Sequence, residues 1–196
     1  MNRREWLKNM SVLAAGVIAG PSLLAVVDAH AASQKPDARP QFFDPAQYSL
    51  LGAVSEIIIP RTDTPGALEA GVPMFIDQLL KAVYNKADQT RYLTAMAAFD
   101  KAGGKPFLQL DDAQRKALVN KLHAAAVAAP KGSKLPPAED FVLMTKKLTM
   151  LGFFLSQPGC TQVLQYDPVP AAWHADIPLS KAGNGKAWAE EAELKI

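Results

Sequence analysis

The sequence predicts an all-α fold: a single-domain bundle of five or six helices with an extended, proline-rich C-terminal tail. Three observations predict it. Apolar residues recur at three- and four-residue steps in five separate stretches. No run of alternating apolar residues is long enough to make a convincing strand. Each periodic stretch is bounded by the Asp, Pro or Gly signals that start and stop helices. The chain has 196 residues, 49% hydrophobic and 20% charged, and shows no internal repeat, which is ordinary for one soluble globular domain. We divide it into a signal (1–31), a linker (32–42), the helical bundle (43–165) and the tail (166–196).

Residues 1–31 read as an export signal. Asn2-Arg3-Arg4-Glu5-Trp6-Leu7-Lys8 has the form of the twin-arginine address that sends folded proteins across a bacterial membrane. Arg3 and Arg4 precede a largely apolar run from Met10 to Val27, and Ala29-His30-Ala31 is a small-residue cleavage site. The competing reading is an uncleaved anchor, since the run approaches the about 20 residues that span a bilayer. Gly16, Gly20 and Pro21 weaken that reading. The expected location is the periplasm, with membrane association only through the signal or a partner.

The linker contains Ser33, Gln34, Pro36 and Pro40 and has no hydrophobic period. Asp44-Pro45 then opens the first helix, because the carboxylate accepts free backbone amides and a proline at the first helical position loses nothing. Leu50, Leu51, Val54, Ile57 and Ile58 share one face until Pro60 interrupts. Residues 60–73 hold three prolines and two glycines and form a long, shaped loop. Pro73 starts a second helix with Phe75, Ile76, Leu79, Leu80 and Val83 on one face. A third carries Tyr92, Leu93, Met96 and Phe99 and ends at Gly103-Gly104. Asp111 caps a fourth, alanine-rich helix with Leu118, Leu122, Ala125 and Ala126 inward. The fifth opens at Pro137, with Glu139 and Asp140 complementing its dipole, and carries Phe141, Met144, Leu148, Leu151 and Leu155 at the centre of the core. A short helical turn covers Thr161 to Leu164, and Tyr166-Asp167-Pro168-Val169-Pro170 stops regular structure.

Composition excludes several functions. Removing Arg3, Arg4, Lys8, Glu5 and Asp28 with the signal leaves 18 basic against 17 acidic residues, so nothing marks the chain for nucleic acid or anionic lipid. Cys160 is the single cysteine, which rules out an intramolecular disulfide, and there is no C-x-x-C-H for haem. Beyond the signal only His123 and His174 remain, on different elements, so zinc is not expected. His123 reads as a partly exposed residue late in its helix, and Cys160 as a small buried hydrophobe. Ser156 has no visible base. Asp63 with Asp77, or Asp167 with Asp176, are conceivable carboxylate pairs for sugar hydrolysis, but Asp63 is read as shaping its turn and Asp77 as structural. Gly183-Asn184-Gly185-Lys186 lacks the spacing of a phosphate loop and is read as a surface turn. Met74, Met96, Met144 and Met150 are read as core filler. The aromatic and aliphatic residues of the tail, Tyr166 and Trp173 among them, must lie against something, either the bundle itself or a second protein.

Two stretches then gain a meaning together. Ile57-Ile58-Ile59-Pro60-Arg61-Thr62-Asp63-Thr64-Pro65-Gly66-Ala67, followed by Ala70-Gly71-Val72-Pro73 and Phe75-Ile76-Asp77, resembles the first signature of the gluconate 2-dehydrogenase subunit 3 family. Gly152-Phe153-Phe154, Ser156-Gln157-Pro158-Gly159, Thr161-Gln162 and Tyr166-Asp167-Pro168-Val169-Pro170 resemble the second, and the twin-arginine leader also matches. One departure is that members often have a Gly-Cys pair before the last Val-Pro. Here Ala175-Asp176 precede Ile177-Pro178, so any cysteine-dependent role there is absent.

The resemblance implies a small, non-catalytic partner of an exported flavin-dependent sugar or sugar-acid dehydrogenase. The large subunit of such a complex belongs to the glucose-methanol-choline oxidoreductase group. It also implies no catalytic residue, cofactor or metal in this chain, FAD in the flavoprotein subunit, and room for a cytochrome c subunit carrying haem c. This chain is then expected to aid maturation of the flavoprotein and to supply the signal read by the twin-arginine translocase. Arg61, Asp63, Tyr166, Pro168 and Trp173 are the residues expected at the partner interface, with Arg61 capping a helix end as the alternative. The rival functions are a free-standing exported hydrolase and a small-ligand-binding bundle.

Overall fold

Five α-helices, one 3-10 turn and one π-helical turn make up the regular structure of the computed structural model, which describes residues 39–130, 132–166, 176, 178, 180 and 185–187. Residues 1–31, read above as an export signal with Arg3 and Arg4, and Pro168 and Trp173 of the tail lie outside the described residues. Helix α1 (Pro45–Ile58) starts on a reciprocal cap: Asp44 accepts from the amides of Ala46 and Gln47, and the Gln47 side chain accepts from the Asp44 amide. Helix α2 spans Val72–Ala82, and α3 spans Lys86–Lys101 with Asn85 accepting from the Asp88 amide. A 3-10 turn at Phe107–Gln109 leads to α4 (Asp112–Ala128), capped by Asp111 and Gln114 in the same reciprocal way. Helix α5 (Pro137–Leu155) is followed by the π turn Gly159–Val163.

Helix α5 is the central element and packs against α1, α2, α3 and α4. Its burial explains why Phe141, Val142, Leu148 and Phe153 all fall in the core. A row of aromatic rings runs through the bundle from the N-terminal side: Phe42 to Phe43 at 4.8 Å, Phe43 to Tyr92 at 5.8 Å and Tyr92 to Phe141 at 5.5 Å. It continues from Phe141 to Phe99 at 4.8 Å and from Phe99 to Phe107 at 4.9 Å. These tilted and edge-on pairs add orientation to hydrophobic burial. The Tyr92 hydroxyl is satisfied inside the core by Thr145 at 2.8 Å, and burial pushes its phenol far above the ordinary range. At the surface, Arg91 forks onto Asp140 at 2.8 and 2.7 Å, tying α3 to the first turn of α5.

The packing differs from the sequence reading at four places. In α4 the inward residues are Val119 and Ala126, with Leu118 and Leu122 half-buried, whereas Ala125 is exposed. An alanine-rich helix offers little contrast between its faces, so periodicity points only weakly. Leu155, the last residue of α5, and Met150, next to the groove described below, are 38% and 42% exposed. Cys160 is half-buried in the π turn and not a core residue.

Asp77 has a structural task of a specific kind. It is fully buried in α2, and its carboxylate accepts from three successive amides, Gln41 at 2.8 Å, Phe42 at 3.0 Å and Phe43 at 2.9 Å. This pins the segment entering α1 onto α2 and sets Phe43 at the head of the aromatic row. Bonds to a charged acceptor are worth more than neutral ones, and their loss strands buried donors. Asp77→Ala is therefore expected to lower unfolding stability by about 3 kcal/mol. The check is the urea midpoint at unchanged slope; a midpoint equal to that of the parent would show that the three amides need no carboxylate.

Candidate partner-binding surface

The loop between α1 and α2 has no regular structure, yet its backbone is closely held, and the holder is a side chain of the helix before it. Glu56 accepts from the Arg61 amide through one carboxylate oxygen and from the Leu68 amide through the other, both at 3.0 Å. The Ala67 amide donates to the Ile59 carbonyl at 2.9 Å, and the Thr62 amide donates to the Thr64 carbonyl at 3.0 Å. Gly66 is required by this arrangement. A Cβ there would lie 2.5 Å from a Glu56 carboxylate oxygen and 2.6 Å from the Arg61 amide nitrogen.

A second ordered turn closes the other end of the same face. After α5, the Ser156 hydroxyl donates to the Phe153 carbonyl at 2.5 Å and accepts from the Gly159 amide at 3.2 Å, which folds the chain back. Gly159 fits so tightly that a Cβ would collide with the Phe153 carbonyl oxygen. The chain returns to this turn at Gly185 to Ala187. The Gln165 amide donates to the Ala187 carbonyl at 2.7 Å, and Lys186 Nζ donates to the Gln162 carbonyl at 2.6 Å.

Between loop and turn lies an open groove of about 350 Å³. Ile58, Ile59 and Pro60 line it from the end of α1 and the loop, and Met150, Phe153, Phe154 and Val163 line it from α5 and the turn after it. Thr62 and Thr64 reach it from the loop, and Lys146 enters from α5. Residues about a hundred positions apart in sequence thus face each other, and the two signature stretches meet. Lys146 also borders an adjoining depression of about 210 Å³ with Ile57, Ile58, Asn120 and His123.

The expected interface residues fall as follows. Arg61 is on the surface, where its guanidinium donates to Glu69 at 2.6 Å within the same loop. It caps no helix. Asp63 is exposed and makes no hydrogen bond or ion pair among the described residues, so it does not shape the turn. Thr62 does, its hydroxyl accepting from the Thr64 amide. Tyr166 is 54% exposed just beyond the π turn. The structure therefore brings the loop and the turn after α5 to one groove, and leaves Tyr166 exposed beyond that turn. The groove residues Ile59, Met150 and Phe154 were missed as site residues, since nothing in the sequence distinguishes an apolar residue that lines a surface groove from one in the core.

Among the described residues the groups considered for catalysis do not assemble into a reactive set, and Asp167 and His174 lie outside those residues. Ser156 is buried and committed to the turn. Cys160 Sγ donates to the Phe154 carbonyl at 2.9 Å, and burial pushes its thiol up, away from the nucleophilic thiolate. His123 Nε2 accepts from Lys146 Nζ at 2.9 Å. Asp77 is spent on three amides, and no cluster of three or more His, Cys, Asp or Glu that could hold a metal occurs among the described residues. Lys186 belongs to a surface turn, next to Gly185 with φ of 79°.

The sequence model of a family described as Gluconate 2-dehydrogenase subunit 3 matches residues 45–170, which contain α1 to α5, the shaped loop and the π turn. No curated protein and no solved structure matches the chain. The loop geometry yields its own test. Gly66→Ala is expected to displace Glu56 or the Arg61 backbone, to cost about 1–3 kcal/mol, and to raise the rate of tryptic cleavage after Arg61 several-fold. Equal cleavage rates in the two proteins would mean that the loop is not held by Glu56.

Proposed function

We propose, from the premise that this chain belongs to the gluconate 2-dehydrogenase subunit 3 family, that it is the non-catalytic small subunit of an exported FAD-dependent sugar or sugar-acid dehydrogenase. Substrate oxidation takes place on FAD in a flavoprotein subunit of the glucose-methanol-choline type, and electrons leave through a further carrier such as a cytochrome c. This chain binds the flavoprotein, aids its maturation and carries the twin-arginine signal for both. Its place of work is the periplasm.

The observation that carries the reading is the meeting of the two signature stretches at one apolar groove on the surface. Apolar surface held open by an ordered loop and an ordered turn is what a protein partner covers. Arg61 and Asp63 are exposed on the loop whose Thr62 and Thr64 line the groove, and Pro168 and Trp173 follow Tyr166 in the sequence. None of the described helices is long and apolar enough to cross a membrane, so membrane association would come through the signal or a partner.

The test is purification of the tagged chain from its native host. A yellow, flavin-containing partner is expected to come with it, and sugar oxidation is expected only when that partner is present. A chain that emerges alone and oxidises or hydrolyses a sugar unaided would overturn the reading. A second measurement addresses export. With Arg3→Lys and Arg4→Lys together, both this chain and the flavoprotein are expected to stay in the cytoplasmic fraction. Continued export of the flavoprotein would show that it has a route of its own.

A further inference from the structure

We infer that the groove seats an apolar segment of the flavoprotein subunit that carries a carboxylate, and that this carboxylate pairs with Lys146. The inference rests on the small-subunit reading and adds to it the chemistry of the segment that is recognised. Among the described residues that line the groove, Lys146 alone is charged. The residue is half-buried on α5 and lines both the groove and the adjoining depression, as Ile58 does. A charge in such surroundings attracts an opposite charge more strongly than one on an open surface.

The ammonium has no counter-charge within the described residues. Their three ion pairs use Arg61, Arg91 and Arg115, and the partner of Lys146 is the imidazole of His123 at 2.9 Å. One proton of the ammonium is thereby fixed toward α4, which leaves two for a ligand in the groove. The fit is to a peptide and not to a free anion or a lipid headgroup. A phosphate needs several donors, whereas this site offers one cation among isoleucine, phenylalanine, valine and methionine side chains. Met150 in the lining is 42% exposed, and its unbranched thioether adapts to whatever side chain enters.

The test uses the complex of full-length chain and flavoprotein purified from the host. A carbodiimide condenses a lysine amine with a touching carboxylate, with loss of one water, and the joined peptides are read by mass spectrometry. Lys146 is expected to be joined to an Asp or Glu of the flavoprotein. Lys146→Glu is expected to reduce co-purified flavoprotein at least tenfold, while Lys116→Glu on the exposed side of α4 leaves it unchanged. Met150→Asp, at an exposed position, is expected to act like Lys146→Glu, and it decides the matter if Lys146→Glu lowers the thermal midpoint of the isolated chain. The inference is overturned if Lys146 is joined to an acid of this chain's own residues 167–196 or of a second copy. Failure of Lys146 to form any cross-link in a complex that contains the flavoprotein overturns it too, as do Lys146→Glu and Met150→Asp complexes that keep their flavoprotein. If the unaltered chain brings down no flavoprotein, the small-subunit reading itself has failed.

Discussion

The close approach of α5 to α2 sets the geometry on which the rest of the bundle depends. Gly152 is the point of contact: a Cβ there would lie 2.6 Å from the Phe75 ring, so the ring occupies the space that a side chain would take. Phe75 is fully buried, and α5 also touches α1, α3 and α4. Displacing α5 by the width of a methyl group would shift every one of those contacts, since protein interiors are packed too densely to absorb it. The contact has a consequence at the surface as well. It fixes the phase of the last turns of α5, which buries Phe153 at the base of the groove and leaves Phe154 and Met150 more exposed along it.

The groove walls are held by hydrogen bonds where the helices alone would not hold them. Glu56 does for the loop what a strand partner would do in a sheet, with one carboxylate on two amides seven residues apart. Ser156 does the same for the turn after α5. Inside the bundle, Thr149 and Ser55 meet at 3.3 Å and bind α5 to α1, the two helices from which these walls extend. Loop, turn and helix pair therefore behave as one structural unit, and the groove between them does not close by collapse of its own apolar lining.

Much of the fold is legible in the sequence because it is encoded locally. Asp44-Pro45 and Asp111 cap their helices as their types demand, and Leu50, Leu51 and Val54 turn inward at helical spacing. The aromatic residues of α3 and α5 could likewise be read as core. What was not legible is non-local. The three amides that Asp77 serves lie more than thirty residues before it, and no periodicity links them. The same holds for the groove, where each signature stretch is recognisable alone but their meeting is a property of the packed chain. Met150 and Leu155 were misplaced for a related reason, since a helix touched by four others still has exposed positions, and hydrophobicity does not mark them.

The charge balance bears on how such a surface selects its partner. Residues 32–196 carry 18 basic and 17 acidic side chains, and the described ion pairs are internal, so long-range attraction contributes little to finding a partner. Discrimination must then arise at contact. Apolar walls accept many segments of similar shape, because one methylene more or less changes affinity only modestly. A half-buried lysine is stricter: a segment without a carboxylate desolvates it with no compensation, and a segment bearing a second cation is repelled. In a groove inferred to seat a segment of the flavoprotein, one lysine would thus supply most of the specificity, and the hydrophobic lining most of the affinity.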